Sequence, residues 1–129
     1  MRRQLCVGLG AEVDIKTAAA SPTPPKLTAW IDKRSKYLQF WNMRYFSLEL
    51  GQILFQRTDK TSEHKNGLSL TNNCKLIPMG DYQLEIISPA YKDMMLRFSK
   101  RLIRDAWQEA IQHHCDWGTS QGQEDSYVK

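Results

Sequence analysis

The segment from Leu27 to Arg57, LTAWIDKRSKYLQFWNMRYFSLELGQILFQR, constrains the fold more than any other part of the chain. Apolar residues recur at every second position on three successive runs, which is the period of a β-strand with one buried face. On each run the apolar series ends, in phase, on a basic residue. Leu27, Ala29 and Ile31 lead to Lys33. Read backwards, Leu50, Leu48 and Phe46 lead to Arg44, and Ile53 and Phe55 lead to Arg57. If the three strands are antiparallel, these switches fall at the same end of one face. The sequence therefore predicts an apolar sheet face that turns cationic at one end, a mouth suited to an anion.

The rest of the chain extends the β pattern. Further strands are expected over 67–71, 74–78, 82–87 and 94–98, with Pro78 at a strand end because it cannot donate to a ladder. Gly51 predicts a tight link between the second and third strands, and TDKTSEHKNG a long polar loop. A helix follows over KRLIRDAWQEAIQHHCDW, with Ser99 as its cap and Gly118 as its stop. Leu102, Ile103, Ala106, Trp107, Ala110, Ile111 and His114 would form its buried stripe. His113 would face solvent and His114 border the core, where the helix dipole favours a histidine. Residues 1–26, with AAASPTPPK, read as a flexible leader, and 117–129 as a flexible tail. The fold class is mainly β with one C-terminal α-helix: a seven-stranded antiparallel barrel or sandwich over 27–116, with Trp107 plugging one opening.

The chain has 129 residues, enough for one domain with a real core. Three cysteines without a CxxC pair encode neither a disulfide framework nor a zinc site, and imply free thiols in a reducing, cytoplasmic setting. No apolar run reaches bilayer-spanning length, so membrane contact is expected to be peripheral. His113, His114 and Cys115 are consecutive and cannot converge on one metal from a helix. No nucleophile–base pair, phosphate loop or metalloprotease motif occurs, which argues against an enzyme, and no cofactor is expected. Basic and aromatic residues do not interleave along a sheet face, so no nucleic-acid partner is expected.

Several motifs, taken in order, resemble the pleckstrin homology (PH) domain family. WIDK (Trp30 to Lys33) resembles its first strand and WNMRYFSL (Trp41 to Leu48) its second. GLSLTNNCKL is similar to its fourth-strand turn, YQLEII with MMLRF to its last strand pair, and AWQEAI, centred on Trp107, to its closing helix. The resemblance covers roughly 27–116. It implies a bent seven-stranded antiparallel sandwich, capped at one end by the helix and open at the other, where many members bind phosphoinositide head groups. Carried over by position, Lys33 and Arg44 match the family's binding pattern. Asn42 stands where that pattern has Lys or Arg.

The candidate ligand-binding residues are thus Lys33, Arg34, Lys36, Arg44, Arg57 and Lys60, with Leu38 and Phe40 as membrane contacts from the first loop. Trp41 is expected to pack against the barrel. Residues 33–65 hold seven basic and three acidic residues, an excess equal to the net +4 of the whole chain. Inositol phosphates need such clustering: Arg chelates two oxygens through its planar fork, and Lys supplies a mobile point charge. The expected partner is an anionic membrane lipid, a phosphoinositide foremost. The alternative is a protein-interaction module of the same fold that ignores lipid.

Overall fold

The protein is described here from a computed structural model, which covers residues 23–35, 39–60, 62–90 and 93–128. Strands β1 (Leu27–Arg34), β2 (Trp41–Glu49), β3 (Gln52–Gln56), β4 (Asn66–Ser69), β5 (Lys75–Met79), β6 (Gln83–Ile87) and β7 (Met94–Arg97) precede helix α1 (Arg101–Ser120) and a short β8 (Tyr127–Val128). All pairings are antiparallel, in the order β5-β6-β7-β1-β2-β3-β4-β8, and the sheet curls into a half-barrel. The seven anticipated strands are present with ends shifted by a residue or two. Pro78 lies within β5, opposite Leu84, and is tolerated because β5 is an edge strand.

Alternation decides what is buried. Ile31, Phe46, Leu48, Ile53, Leu68, Leu84, Ile86 and Leu96 line the concave face and are shut off from solvent. Helix α1 lies across them with Trp107, Ile111 and Cys115, and the Trp107 ring packs on Phe98, with centroids 6.2 Å apart. Cys74 and Cys115 are both free and buried, and the Cys74 thiol, together with burial, pushes the Cys115 thiol up. Cys6 lies outside the described residues.

Helix α1 differs from the sequence expectation in three ways. Its buried face is Arg104, Trp107, Ile111, His114, Cys115 and Gly118, whereas Leu102 is 81% and Ile103 40% exposed, and Ala106 is exposed too. The face is rotated because Arg104 makes the inward contact of the first turns. Its Nη1 donates to the carbonyls of Gly80 and Gln83 at 3.0 and 3.1 Å, and its Nε to Asp105 at 2.8 Å. The N-cap is Lys100, without a side-chain cap bond, so Ser99 is not the cap. Gly118 does not end the helix: a Cβ there would stand 2.1 Å from the Leu70 carbonyl oxygen, so glycine lets the helix pass close to the β4–β5 link.

The segment after Asp116, which composition reads as tail, holds the last turn of α1, a loop and β8 in the structure. The Gln123 amide donates to the Gly51 and Leu70 carbonyls at 2.8 and 2.9 Å. Asp125 accepts from Thr71 at 2.6 Å and Asn73 at 2.9 Å. β8 pairs with β4 through Gly67 and Leu68, which makes the sheet eight-stranded among the described residues. These ties are polar, so apolar periodicity carries no trace of them.

Candidate functional site

The strand register brings two of the candidate cations, Lys33 and Arg44, to one end of the concave face, with Arg57 just past the end of β3. Ile31 pairs with Arg44 and Lys33 with Asn42. The β2–β3 register ends at Tyr45 opposite Gln56, and Arg57 follows as the first residue of the β3–β4 loop. Lys33 and Arg44 therefore continue the rows of Ile31 and Phe46, as alternation requires. The Lys33 ammonium lies over the Phe55 ring, 4.9 Å from its centroid, and thus reaches across β2 on the inner side. The half-buried Arg44 bends back along its own strand and donates to the Met43 carbonyl at 2.8 Å. Asn42 is exposed at the rim, directly opposite Lys33.

This end is remote from the one that α1 fastens. Leu50 (φ 49°) and Gly51 (φ 72°) form the two-residue turn joining β2 to β3. The Gly51 N–H donates to His114 Nδ1 at 3.1 Å, and His114 Nε2 lies 3.0 Å from the Pro25 carbonyl. The ring must accept through Nδ1, so Nε2 carries the proton and donates to Pro25. Burial holds the His114 pKa below its ordinary value. The histidine is a neutral clasp, and its place near the helix end owes nothing to the dipole. From that turn to Arg44 the strand covers about 20 Å.

The other candidates divide. Arg57 and Lys60 are exposed on the β3–β4 loop. That loop is ordered by its own bonds: the Gln56 amide donates to the Lys60 carbonyl at 2.7 Å, and Glu63 accepts from the Thr58 N–H at 2.7 Å and its hydroxyl at 2.8 Å. Those bonds, with Arg57 and Lys60 nearby, hold the Glu63 carboxyl below the usual carboxylate range. Glu63 therefore stays ionised and offsets part of the local positive charge. Arg34 has the opposite parity to Lys33 and lines a small cleft with Ser35, Gln39, Asp93 and Met95. It does not join the inner-face group. Phe40 is 63% exposed where the first loop enters β2. Lys36 and Leu38 lie outside the described residues.

Trp41 is half-buried on the outer side, beneath the Arg97 guanidinium at 4.3 Å, and Arg97 chelates Asp32 at 3.0 and 3.2 Å. The packed reading of Trp41 holds, with an arginine as its cover. Residue types gave no warning of this trio, because Asp32 and Arg97 are 65 positions apart. Among the described residues no group of His, Cys, Asp and Glu is placed to hold a metal ion, and no helix is long and apolar enough to cross a membrane.

Comparison with known proteins gives a consistent answer about the fold. No family model matches the chain, and neither does any curated protein. Among solved structures, the chain is similar to the PH domain of human oxysterol binding protein-related protein 11, with a TM-score of 0.54 and 18% identity over 78% of this chain and 89% of that one. It is also similar to the PH domain of human pleckstrin homology domain-containing protein family A member 5, with a TM-score of 0.57 and 15% identity over 78% and 83% of the two chains. The chain has the PH-domain fold.

Proposed function

We propose that this PH-like module targets anionic membrane surfaces, phosphoinositide-bearing ones foremost, through the open end of the half-barrel. The observation that carries this reading is the register: Ile31 opposite Arg44, Lys33 two pairs further out opposite Asn42, and Arg57 just past the end of β3. Two cations held by strands at the end of an apolar concave face, with Arg57 beside them on the β3–β4 loop, can meet phosphate oxygens. Exposed Phe40 on the same rim suits insertion at head-group depth. Asn42 leaves the cluster one charge short beside Lys33. Glu63 trims the charge of the β3–β4 loop. The expected behaviour is salt-sensitive attraction, about 1 kcal/mol per cation near the surface, rather than tight selection of one stereoisomer.

The test is co-sedimentation of the full chain with vesicles of phosphatidylcholine alone, with added phosphatidylserine, or with added phosphoinositides, at low and high salt. Binding should rise with anionic content and fall with salt, and Lys33→Ala with Arg44→Ala should remove most of it. Unchanged binding by that double variant would refute the proposed mouth. A protein-interaction role is favoured by a separate surface, the exposed aromatic and aliphatic side chains beside β1, and does not depend on the mouth.

A further inference from the structure

Strand β1 pairs with β2 along its whole length but with β7 at two positions only, Asp32↔Arg97 and Lys33↔Leu96. Past Arg97 the chain leaves β1: Phe98 turns into the core, and its N–H donates to the Tyr82 carbonyl at 2.8 Å, towards β6. Backbone groups of successive strand residues point to alternate sides. Arg97 therefore directs its own N–H and C=O towards β1, Asp32 answers it, and Trp30 and Thr28 direct theirs the same way as Asp32. Among the described residues no strand faces Trp30 and Thr28 on that side.

The gap is a groove of about 410 Å³ between β1 and the start of α1. Trp30, Met43, Tyr82 and Ile103 line it while 48%, 51%, 51% and 40% exposed, and Leu102 stands beyond it at 81%. Single exposed apolar residues are ordinary, but several around one recess beside an open strand edge mark an interaction surface. The Trp30 ring is already braced against Tyr45, with centroids 5.4 Å apart, so little freedom remains to be lost on binding.

Charge names the occupant. Helix α1 opens at this groove without a side-chain cap and with no acidic residue in its first turn. Lys100 is exposed, and Arg101 is held only loosely, at 3.9 Å from Asp81 and 3.9 Å from Asp105. Free N–H groups, the positive end of the helix dipole and two cations favour a carboxylate at that end. At the other end the Asp32–Arg97 pair is neutral as a unit.

We propose that this groove docks an extended, acidic segment of a partner protein. The segment adds as a strand beside Thr28 and Trp30, seats an apolar side chain against Trp30 and Ile103, and presents a carboxylate to Lys100 and Arg101. Strand addition supplies affinity through main-chain bonds, and the recess and cations supply selectivity. A lipid surface offers no repeating ladder of N–H and C=O groups to a recessed strand edge, so the backbone geometry favours a peptide.

Panning a random dodecamer display library on the full chain, then titrating a selected synthetic peptide into isotope-labelled protein, tests this. The expected result is enrichment of peptides with an acidic residue near an aromatic or aliphatic one, and amide shifts concentrated at Thr28, Trp30 and the first turn of α1. Trp30→Ala and Ile103→Asp should each weaken binding about tenfold or more. Lys100→Glu with Arg101→Glu should weaken it and flatten its salt dependence, whereas Lys33→Ala with Arg44→Ala should leave it unchanged. The proposal is overturned by failure to enrich any such peptide, by shifts located elsewhere, or by Trp30→Ala reducing vesicle binding with no effect on the peptide. The last outcome would assign the surface to the membrane.

Discussion

Two single residues carry opposite lessons about charge. Asn42 sits at the rim, paired across the strands with Lys33, where the concave row of β2 would next offer a cation. Asn42→Lys or Asn42→Arg should raise affinity for anionic vesicles about fivefold, the equivalent of about 1 kcal/mol for one more surface-proximal charge. Co-sedimentation at fixed lipid and salt reads this directly, and no gain would mean the mouth does not face the membrane. His114 is valuable because it is uncharged. Its ring accepts from Gly51 and donates to Pro25, and burial lowers its pKa. The unfolded chain therefore takes up a proton near pH 6.5 that the folded chain refuses until the pH is lower. The stability His114 provides is complete above about pH 6.5 and is lost as the pH falls from there towards the lowered folded value. Thermal melts between pH 7.5 and 5 should show this slope, and His114→Gln, which keeps one donor and one acceptor, should flatten it. A wild-type slope unchanged in that variant would acquit His114.

At the scale of elements, legibility followed periodicity. The seven strands were readable because each buries alternate side chains, and the rows leading to Lys33 and Arg44 keep step in the observed register, while β3 ends one residue before Arg57. Helix α1 was readable in place but not in rotation. Leu102 and Ile103 invite burial by residue type, yet Arg104 takes the inward position because the carbonyls of Gly80 and Gln83 await a multiple donor. A distant turn's unpaired carbonyls leave no mark on local sequence. Gly118 suggests a helix stop by residue type but is not one, for a related reason: its role is set by what it crosses, not by its neighbours. Gly118→Ala separates the two interpretations. In a free helix the change gains about 1 kcal/mol of propensity. Here the new Cβ would stand 2.1 Å from the Leu70 oxygen, and overpacking of this kind costs about 1–3 kcal/mol or more. A net loss in denaturant midpoint is expected, and a gain would show that the helix does not pass so close. Leu50 tests the neighbouring turn. Held at φ 49° beside Gly51, it pays a left-handed penalty that Asn tolerates better, so Leu50→Asn should stabilise by up to about 1 kcal/mol in the same assay.

For the whole molecule, the two ends of the half-barrel are built by different means. The mouth is an edge of strands and loops whose cations project from an otherwise apolar face. The opposite end is tied by polar cross-links from distant parts of the chain, with His114 on Gly51 and Pro25, Gln123 on Gly51 and Leu70, and Asp125 on Thr71 and Asn73. Only the first end was legible, since its cations continue an apolar series, whereas the segment 121–128 holds the second with amides, hydroxyls and a carboxylate. Deleting residues 121–129 should therefore cost stability without touching the mouth. Among the described residues the deletion removes the bonds of Gln123 and Asp125, the Ser69–Ser126 contacts and the β8 pairing. These are six hydrogen bonds besides the β8 ladder, and at about 0.5–1 kcal/mol net for each the total is about 3–6 kcal/mol. In a domain of this size that corresponds to a fall of about 10 °C or more in Tm. Calorimetry on the shortened chain measures the loss. Vesicle binding below the new midpoint should match that of the full chain, because the cations at the mouth keep their register. A Tm within about 2 °C of the full chain would mean that α1 alone closes the barrel and that β8 is a passenger on it.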